Sequence, residues 1–306
     1  MGKIQISRKE FLSRALSGIA GISLISPKIT APVHSGPELR SLGNTGLMVS
    51  PVCFGAPRMN DESLIKYALE KGINFIDTGR AYGNGNNERL VGRAIAGIRS
   101  KVVVQTKIRL EENELPSKGK GRKGAAEIKD TLSTKLEASL KALNTSYIDV
   151  LLYHDALDVN LLFHQETLKF FSEMKNSGVI KAHGFSTHND YLNLPERNNS
   201  ELFYNVVMVP FNYKGSFVHS VTGSYSAWDQ TKLLSILTEA GSKGIGVIAM
   251  KTCSGGKYSP SAGIVPSYRE AVRWVLQHKY ISSASVAMVN FEQIDEDASW
   301  IQDPSL

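Results

Sequence analysis

The sequence predicts an α/β fold, a single-domain (β/α)8 (TIM) barrel preceded by an N-terminal signal-like segment. From residue 39 onward, eight short runs rich in β-branched residues mostly alternate with helical stretches. Two of these runs, 101–107 and 246–250, contain uninterrupted apolar stretches, as parallel strands buried on both faces do. Parallel strands need crossover connections, and eight of them close into a barrel.

An open, doubly wound sheet is the alternative fold. That fold commonly binds dinucleotides through a Gly-x-Gly-x-x-Gly turn after its first strand, and no such turn follows the first run here. The nearest phrase, Tyr-Gly-Asn-Gly-Asn-Asn at residues 82–87, lacks the third glycine. The barrel is therefore the preferred prediction.

The predicted elements follow one another in a regular order. The first helix has apolar residues at helical spacing and ends at Gly72, because glycine commonly closes helices. The strand candidates are residues 49–55, 73–77, 101–107, 148–154, 180–186, 205–211, 246–250 and 282–286. The helix candidates are residues 62–71, 88–96, 125–143, 161–176, 230–243 and 267–278, with a last helix starting near Phe291.

Composition excludes several classes of protein. The chain has 306 residues, of which 42% are hydrophobic and 21% charged, so it is not a disordered, collagen-like or disulfide-framework protein. Its two cysteines, Cys53 and Cys253, are too few for a cysteine-rich metal site or an iron–sulfur cluster from this chain alone. We expect both to be buried free thiols, and we predict no metal site.

The N-terminal segment resembles an export signal. Residues 1–28 hold five basic side chains and one acidic one, which supplies four of the six net positive charges of the chain. Within it lies an apolar stretch of about eleven residues, which suits a signal peptide and is too short for a membrane span of about 20 residues. Ser-Arg-Lys-Glu-Phe-Leu at residues 7–12 resembles the twin-arginine signal, with Lys9 at the position of the second arginine.

We therefore predict a leader at residues 1–30, a linker at 31–38 and the barrel at 39–306, in an exported or periplasmic protein. The alternative is an N-terminal helix on a cytoplasmic protein. No apolar stretch reaches about 18 residues, so we expect no stable membrane span. The basic residues between 118 and 123 come with no nucleic-acid-binding signature, so we expect no nucleic-acid partner.

Polar side chains follow several of the predicted strands at the point where each strand ends. Asp77, Lys107, His154 and Ser186 stand at such ends, and Tyr82 lies on the loop after Asp77. Each of them alone is typical of an ordinary turn or surface residue. In a (β/α)8 barrel, however, the carboxyl ends of all strands meet at one rim, and catalytic residues come from those ends.

Four of these groups have a coherent joint chemistry. Tyrosine has a pKa near 10 and is a poor acid at neutral pH. A neighbouring ammonium, here Lys107, is expected to lower the pKa of Tyr82, and Asp77 can hold that buried ammonium in its charged form. His154 offers a second hydrogen bond to a substrate oxygen. The set is suited to protonating a carbonyl oxygen while hydride reaches the carbonyl carbon, or to the reverse reaction.

Several motifs resemble those of the aldo-keto reductase family. Residues 40–50 resemble its opening hairpin, and Asp-Thr-Gly-Arg-Ala-Tyr-Gly at 77–83 resembles its Asp-Thr-Ala-x-x-Tyr-Gly signature. Gln-Thr-Lys at 105–107, the run 147–154 that ends in histidine, and Gly-Phe-Ser-Thr at 184–187 match further family positions. The likeness covers about residues 39–300. It implies the barrel fold, a bound nicotinamide dinucleotide and the catalytic tetrad described above.

The resemblance also implies which residues bind the cofactor. Thr187 stands where the family has asparagine, Met208 where a glutamine falls, and Gln293 where a basic residue often recognises the 2′-phosphate. The family resemblance implies NADP(H), and NAD(H) is the alternative because no basic residue for the 2′-phosphate is evident. The expected cofactor-binding residues are Gly55, Ala56, Ser186, Thr187, Met250, Lys251, Thr252, Asn290, Gln293, Glu296 and Asp297.

The leading hypothesis is thus an oxidoreductase that acts on a small-molecule carbonyl or alcohol. The alternatives are a non-catalytic, nicotinamide-cofactor-binding regulatory subunit and an inactive relic. The cluster Phe217, His219, Tyr225 and Trp228 either lines a substrate site or packs as an ordinary loop. Family members generally carry a longer C-terminal extension, so we expect a shallow, open pocket here.

Overall fold

The computed structural model describes residues 38–56, 61–115, 121–219 and 222–302, with no side chains described for 121–125 and 302. The predicted leader, 1–30, and residues 31–37 of the predicted linker lie outside these ranges. All residues of the predicted catalytic tetrad and of the predicted cofactor site lie within them.

Eight parallel strands form a closed barrel, which confirms the predicted fold. Their order around the barrel is β11-β12-β3-β4-β5-β6-β7-β8, and every neighbouring pair is parallel. The strands of the chain are β1 Arg40–Ser41, β2 Met48–Val49, β3 Val52–Gly55, β4 Phe75–Asp77, β5 Val103–Ile108, β6 Ile148–Tyr153, β7 Ile180–Ser186, β8 Val206–Pro210, β9 Ser216–Val218, β10 Tyr225–Ala227, β11 Gly246–Met250 and β12 Ile281–Ala287.

Helices connect the strands on the outside of the barrel. Several begin at a side chain that accepts a backbone N–H of the first turn, such as Asp61, Asp229 and Ser267. The described helices are α1 Glu62–Glu70, α2 Asn86–Ala94, α3 Gly121–Leu143, α4 Val159–Leu162, α5 Gln165–Asn176, α6 Asn193–Glu201, α7 Gln230–Ser242, α8 Tyr268–Leu276 and α9 Phe291–Ala298.

The hairpin β1–β2 closes the amino end of the barrel. Leu42 and Val49 of this hairpin are fully buried and belong to the same apolar cluster as Phe75 inside the barrel. The backbone N–H of Asn44 donates to the carbonyl oxygen of Gly244, just before β11 begins, at 2.7 Å. Since the amino end is plugged, the carboxyl rim is the end at which a ligand can reach the barrel interior.

The structure departs from the sequence prediction in four places. The strand predicted at 49–55 is interrupted at Ser50 and Pro51, so that Val49 ends β2 and Val52 begins β3. Helix α6 was not predicted, and neither was the antiparallel hairpin β9–β10 between β8 and α7. The single helix predicted at 161–176 is two helices, because the chain turns at Phe163 and His164 caps α5 by accepting the N–H of Glu166 at 3.2 Å.

Both cysteines are free thiols, as predicted, but their burial differs. Cys53 is buried, whereas Cys253 is only partly so. Among the described residues, no helix is long and apolar enough to cross a membrane. The same residues contain no group of three or more side chains that could hold a metal ion.

Candidate active site

The four residues of the predicted tetrad come together at the carboxyl rim. Asp77 ends β4, Lys107 lies near the end of β5, and His154 directly follows β6. Tyr82 begins the 3₁₀ turn that follows β4. The Lys107 ammonium is paired with Asp77 Oδ1 and donates to the Tyr82 hydroxyl oxygen at 3.3 Å. The ring centroids of Tyr82 and His154 are 5.6 Å apart, edge to face.

Lys107 is the most enclosed charge of the site, with 1% of its surface exposed. Besides Asp77, its ammonium donates to the backbone carbonyl of Thr78 at 2.9 Å. Burial opposes the charged form, but Asp77 and the Tyr82 phenol outweigh it and raise the pKa of Lys107 above its ordinary value. The lysine is therefore a fixed positive charge next to the phenol.

Two residues that sequence reasoning missed hold the Asp77 carboxylate. The side-chain amide of Gln105 donates to Oδ1 at 2.6 Å, and the Ser285 hydroxyl donates to Oδ2 at 3.3 Å. Gln105 lies two residues before Lys107 on β5, so strand alternation places both on one face, a signal that was available in the sequence. The same amide group approaches Met208 Sδ at 3.5 Å.

Tyr82 corrects one expectation. Burial raises the pKa of the Tyr82 phenol above 10, and this outweighs the lowering effect of Lys107. We expected the ammonium to lower that pKa, and the sign of its effect is right, but desolvation is the larger cause. Tyr82 therefore keeps its proton at neutral pH, and Lys107 is the neighbouring group that favours its release.

His154 is a neutral hydrogen-bonding group. Burial, together with the nearby charges of Lys107 and Arg109, lowers the pKa of His154 well below 6.5. Its Nδ1 is buried and has no hydrogen-bond partner among the described residues. The imidazole therefore has an unused hydrogen-bonding position, and its ring lies edge to face with that of Tyr82.

The first predicted cofactor residues lie beside the tetrad. Gly55 is the last residue of β3 and is in register with Asp77 of β4 and with Ala287 of β12. Ala56 is buried, and its N–H donates to the carbonyl oxygen of Asp77 at 2.9 Å. This part of the rim is continuous from the tetrad to the end of β12.

Ser186 ends β7 and Thr187 follows it, and their side chains already have partners. The Ser186 hydroxyl accepts the N–H of Asp155 at 3.1 Å. The Thr187 hydroxyl donates to the Ala156 carbonyl at 3.0 Å and accepts the N–H of Asp190 at 3.1 Å. The hydroxyl that replaces the family's asparagine therefore stabilises the loop, which leaves it little capacity for a nicotinamide carboxamide.

Met250, Lys251 and Thr252 lie where β11 ends, on the strand next to β12. Lys251 has a φ of 58°, in the left-handed region, and leads into the 3₁₀ turn Thr252–Gly255. Its carbonyl accepts from the Asn212 side-chain amide at 3.1 Å, which fixes this backbone conformation. The first amide groups of such a turn lack partners within the turn and suit a phosphate.

The last predicted cofactor residues lie on α9. Asn290 caps this helix by accepting the N–H of Gln293 at 2.9 Å, and the Gln293 side chain accepts the N–H of Val289 at 2.8 Å. Glu296 is exposed. Asp297 is buried, and burial together with the charge of Glu296 raises the pKa of Asp297 to about 7.

The turn after β11 and helix α9 interact electrostatically. Burial and the charges of Asp297 and Glu296 together raise the pKa of the Cys253 thiol to about 11, so this turn lies within electrostatic reach of α9. The predicted residues thus form a strip along the rim from the tetrad, past the ends of β3 and β11, to α9. A buried, unpartnered His154 nitrogen at one end and a phosphate-compatible turn in the middle fit an extended dinucleotide.

His188 is a rim residue that sequence reasoning missed, although it follows the Ser186-Thr187 pair directly. Its ring packs edge-on against His219 at 5.8 Å and lies 6.3 Å from Phe217. Burial and the charge of Lys251 lower the pKa of His188 to about 3. Of the predicted aromatic cluster, Phe217 and His219 therefore reach the rim.

Tyr225, by contrast, is 67% exposed on β10. Trp228 is partly buried against Tyr191, with ring centroids 5.3 Å apart. The ring of Trp228 also lies 6.4 Å from that of Phe217, so Phe217, His219 and Trp228 pack together and Tyr225 stands apart from them.

Known proteins share both the sequence pattern and this fold. Residues 55–270, more than two thirds of the chain, match the model of the Aldo/keto reductase family. The chain is 26% identical over 303 residues to L-galactose dehydrogenase of Arabidopsis thaliana, covering 86% of this chain and 87% of that protein. The chain spans about half the length of several other curated relatives, at 32% to 33% identity.

Two solved structures share the barrel. An aldo-keto reductase of Bacillus halodurans in its holo form superposes with a TM-score of 0.67 at 21% identity, covering 88% of this chain and 92% of that one. An aldo/keto reductase of Klebsiella pneumoniae in complex with NADP and acetate gives a TM-score of 0.63 at 18% identity, covering 86% and 90%. Together with the family match, these findings show that the chain belongs to the aldo/keto reductase family.

Proposed function

We propose that the protein is an NADP(H)-dependent oxidoreductase that interconverts a carbonyl compound, whether aldehyde, ketone or sugar, and the corresponding alcohol. The observation that carries this proposal is the contact between Lys107 and Tyr82. A buried ammonium, held by Asp77, lies 3.3 Å from a protonated phenol at the open rim of the barrel. The membership of the chain in a family of oxidoreductases supports the same conclusion.

The reduced nicotinamide, when bound, supplies the hydride that adds to the carbonyl carbon. The π electrons of the carbonyl then move onto its oxygen, and the Tyr82 hydroxyl gives its proton to that oxygen. Lys107 stabilises the phenolate that remains, and solvent returns the proton in the next cycle. In the direction of oxidation, the phenolate takes the proton of the alcohol.

His154 positions the carbonyl oxygen. Its low pKa keeps the imidazole neutral, so it donates a hydrogen bond without competing with Tyr82 as an acid. A preorganised donor aimed at developing negative charge contributes roughly 10²–10³-fold to a rate. Tyr82 and His154 are edge to face at 5.6 Å, which lets both reach one oxygen atom between them.

The proposed cofactor is NADP(H), with NAD(H) as the alternative. The complex of the Klebsiella pneumoniae relative with NADP supports the choice. The turn after β11 suits the pyrophosphate, and Lys251 is the candidate basic residue beside it. Gln293 in place of a basic residue weakens selection for the 2′-phosphate. Fluorescence titration with NADPH and NADH measures the preference between the two cofactors directly.

The function is tested by following oxidation of the reduced cofactor with a panel of aldehydes, ketones and aldoses. Aldoses belong in the panel because the chain resembles a sugar dehydrogenase along most of its length. We expect turnover of at least one class by the full-length chain and its loss in Tyr82→Phe. Tight cofactor binding without turnover of any compound would instead support a regulatory, non-catalytic subunit.

We further propose that residues 1–30 direct export of the protein by the twin-arginine route. The basic pair Arg8-Lys9, followed by Phe11-Leu12 and a short apolar run, supports this proposal. That route carries folded proteins, which suits an enzyme that acquires a dinucleotide before export. Cell fractionation tests it: we expect an envelope pool that Arg8→Ala abolishes, and a protein confined to the cytosol in both forms would contradict it.

A further inference from the structure

A second buried ion pair lies directly behind the tetrad. Arg80 stands between Asp77 and Tyr82 in the chain, and its Nη1 lies 2.7 Å from Oε2 of Glu88. Glu88 lies in the first turn of α2 and is 0% exposed. The guanidinium also donates from Nη2 to the carbonyl oxygen of Asn84 at 2.9 Å. Its Nη1 also donates to the carbonyl oxygen of Ala138 on α3 at 3.1 Å, so one arginine binds the tyrosine-bearing turn, the helix that follows it and α3.

Glu88 ties this turn to the strand that carries Lys107. Its other oxygen, Oε1, accepts the hydroxyl of Thr106 at 2.7 Å. Thr106 is the neighbour of Lys107 on β5, and strand alternation points its side chain to the opposite face from Lys107. A chain of contacts therefore runs from Lys107 through Thr106, Glu88 and Arg80 back to the turn of Tyr82.

The turn needs such support, because its backbone is unusual. Gly83, Asn84 and Gly85 have φ values of 55°, 51° and 80°, three consecutive residues in the left-handed region. Asn84 pays a conformational cost there that glycine does not. A Cβ at Gly85 would overlap with Nη2 of Arg80, so the guanidinium fills the space that this glycine leaves open.

We infer that Arg80 and Glu88 are positioning residues of the active site, which hold the Tyr82 hydroxyl at its working distance from Lys107 and from the substrate oxygen. The inference rests on the proposed function. Neither residue contacts the reacting atoms, so their effect on turnover passes through Tyr82. A misplacement of a reacting group by about 1 Å can cost about 10²-fold in rate.

Glu88→Gln is the first test, because it removes the charge and keeps the size. We expect kcat to fall by about 10²-fold, with an unchanged dissociation constant for NADPH. Arg80→Met should give the same result. Arg80→Lys should recover part of the loss, because a single ammonium can reach the carboxylate but cannot also reach Asn84. This rescue series also covers the case in which Glu88→Gln fails to fold.

The chain offers a matched control at the opposite end of the barrel. Arg99 and Asp149 form an ion pair of the same length, 2.7 Å, with side chains 16% and 2% exposed, against 18% and 0% for Arg80 and Glu88. Asp149 also pairs with Lys181 at 2.7 Å and accepts the N–H of Val104 at 3.0 Å, so Asp149→Asn should lower the thermal unfolding midpoint at least as much as Glu88→Gln does, and it should leave kcat unchanged.

Combining Glu88→Gln with Tyr82→Phe distinguishes an effect on the position of Tyr82 from a general loss of stability. If Glu88 acts through Tyr82, Glu88→Gln should reduce the residual rate of the Tyr82→Phe enzyme little further. Equal kcat in the wild type and Glu88→Gln would overturn the inference. So would an equal loss of kcat in Glu88→Gln and Asp149→Asn. Fully additive losses of kcat when Glu88→Gln is combined with Tyr82→Phe would overturn it as well. A wild-type chain with no turnover would instead overturn the proposed function.

Discussion

The Lys107 ammonium nitrogen lies 3.3 Å from the hydroxyl oxygen of Tyr82, although the two residues are 25 positions apart in the chain. Two adjacent strands of the barrel produce this contact, because β4 leads into the turn of Tyr82 and β5 carries Lys107. Burial raises the pKa of Tyr82, and the ammonium opposes that effect. The pair therefore holds a proton that neutral solvent does not remove, beside a charge that stabilises the phenolate once the proton has left.

Lys107→Met should impair both turnover and stability. The substitution removes the charge that stabilises the phenolate and leaves the buried Asp77 carboxylate without its ion-pair partner. Breaking a buried pair costs about 3–5 kcal/mol of unfolding free energy. Denaturant unfolding measures that loss. Lys66→Met is the control, since its partner Glu62 is a surface residue and exposed pairs contribute about 0–1 kcal/mol. Similar losses in the two variants would contradict the prediction.

Tyr82→Phe should abolish most turnover and keep the fold. Phenylalanine preserves the ring that packs against His154 and removes only the proton donor. We expect carbonyl reduction to fall by roughly 10²–10⁴-fold, the usual range of general acid catalysis. NADPH titration should give an unchanged affinity. Tyr280→Phe, just before β12 at the amino end of the barrel, is the matched control and should retain full activity.

Acid should destabilise the protein through a buried histidine. His183 packs among Phe171, Phe203 and Tyr204, and burial followed by the charge of Lys175 lowers its pKa to about 3. The unfolded chain binds a proton at this residue below about pH 6.5, and the folded one does not. The contribution of His183 to the free energy of unfolding is therefore full above pH 6.5 and is lost progressively as the pH falls toward 3.

The measurement is the free energy of unfolding at pH 7.5, 6 and 5 for the wild type and His183→Phe. Below pH 6.5 the wild type should lose about 1.4 kcal/mol per pH unit more than the variant, from this residue alone. Asp297 acts in the opposite direction, because a raised pKa of about 7 makes its contribution fall as the pH rises. It is present in both proteins, so it cancels in the difference, and parallel curves would rule out a role for His183.

The barrel was predictable because its signals are local. Near-continuous apolar runs and helical spacing repeat along the chain, and each polar strand end can be read from the residues before it. Helix α6 was missed because Pro195 and a run of polar residues from 196 to 201 leave it almost without an apolar stripe. The hairpin β9–β10 was missed because each strand is only three residues long.

The tetrad was predictable for the same reason, and the contacts around it were not. Gln105 shares a strand face with Lys107, but Ser285 reaches Asp77 from a strand more than 200 residues away. The pairing of Arg80 with Glu88 depends on the left-handed turn Gly83-Asn84-Gly85, whose residue types favour that backbone but do not indicate which side chain fills the space beside it. The pKa of Tyr82 depends on how deeply its ring is buried, and that burial arises only when the strands and turns of the rim come together.

Lys251→Met should weaken cofactor binding in a way that reveals which phosphate the lysine contacts. Lys251 leads into the turn Thr252–Gly255, and its backbone is fixed by Asn212, so the side chain starts from a defined position on the rim. If it holds the pyrophosphate, NADPH and NADH should lose affinity equally, because both contain that group. A hydrogen bond to a charged group contributes about 1.5–3 kcal/mol, so we expect each dissociation constant to rise by roughly 10–100-fold. If it contacts the 2′-phosphate, only the affinity for NADPH should fall.

Lys243→Met, whose lysine pairs with Glu239 near the amino end of β11, is the control for loss of one positive charge. Fluorescence titration of the wild type, Lys251→Met and Lys243→Met with NADPH and NADH decides between the pyrophosphate and the 2′-phosphate. Unchanged affinity of Lys251→Met for both cofactors would show that Lys251 is not part of the cofactor site.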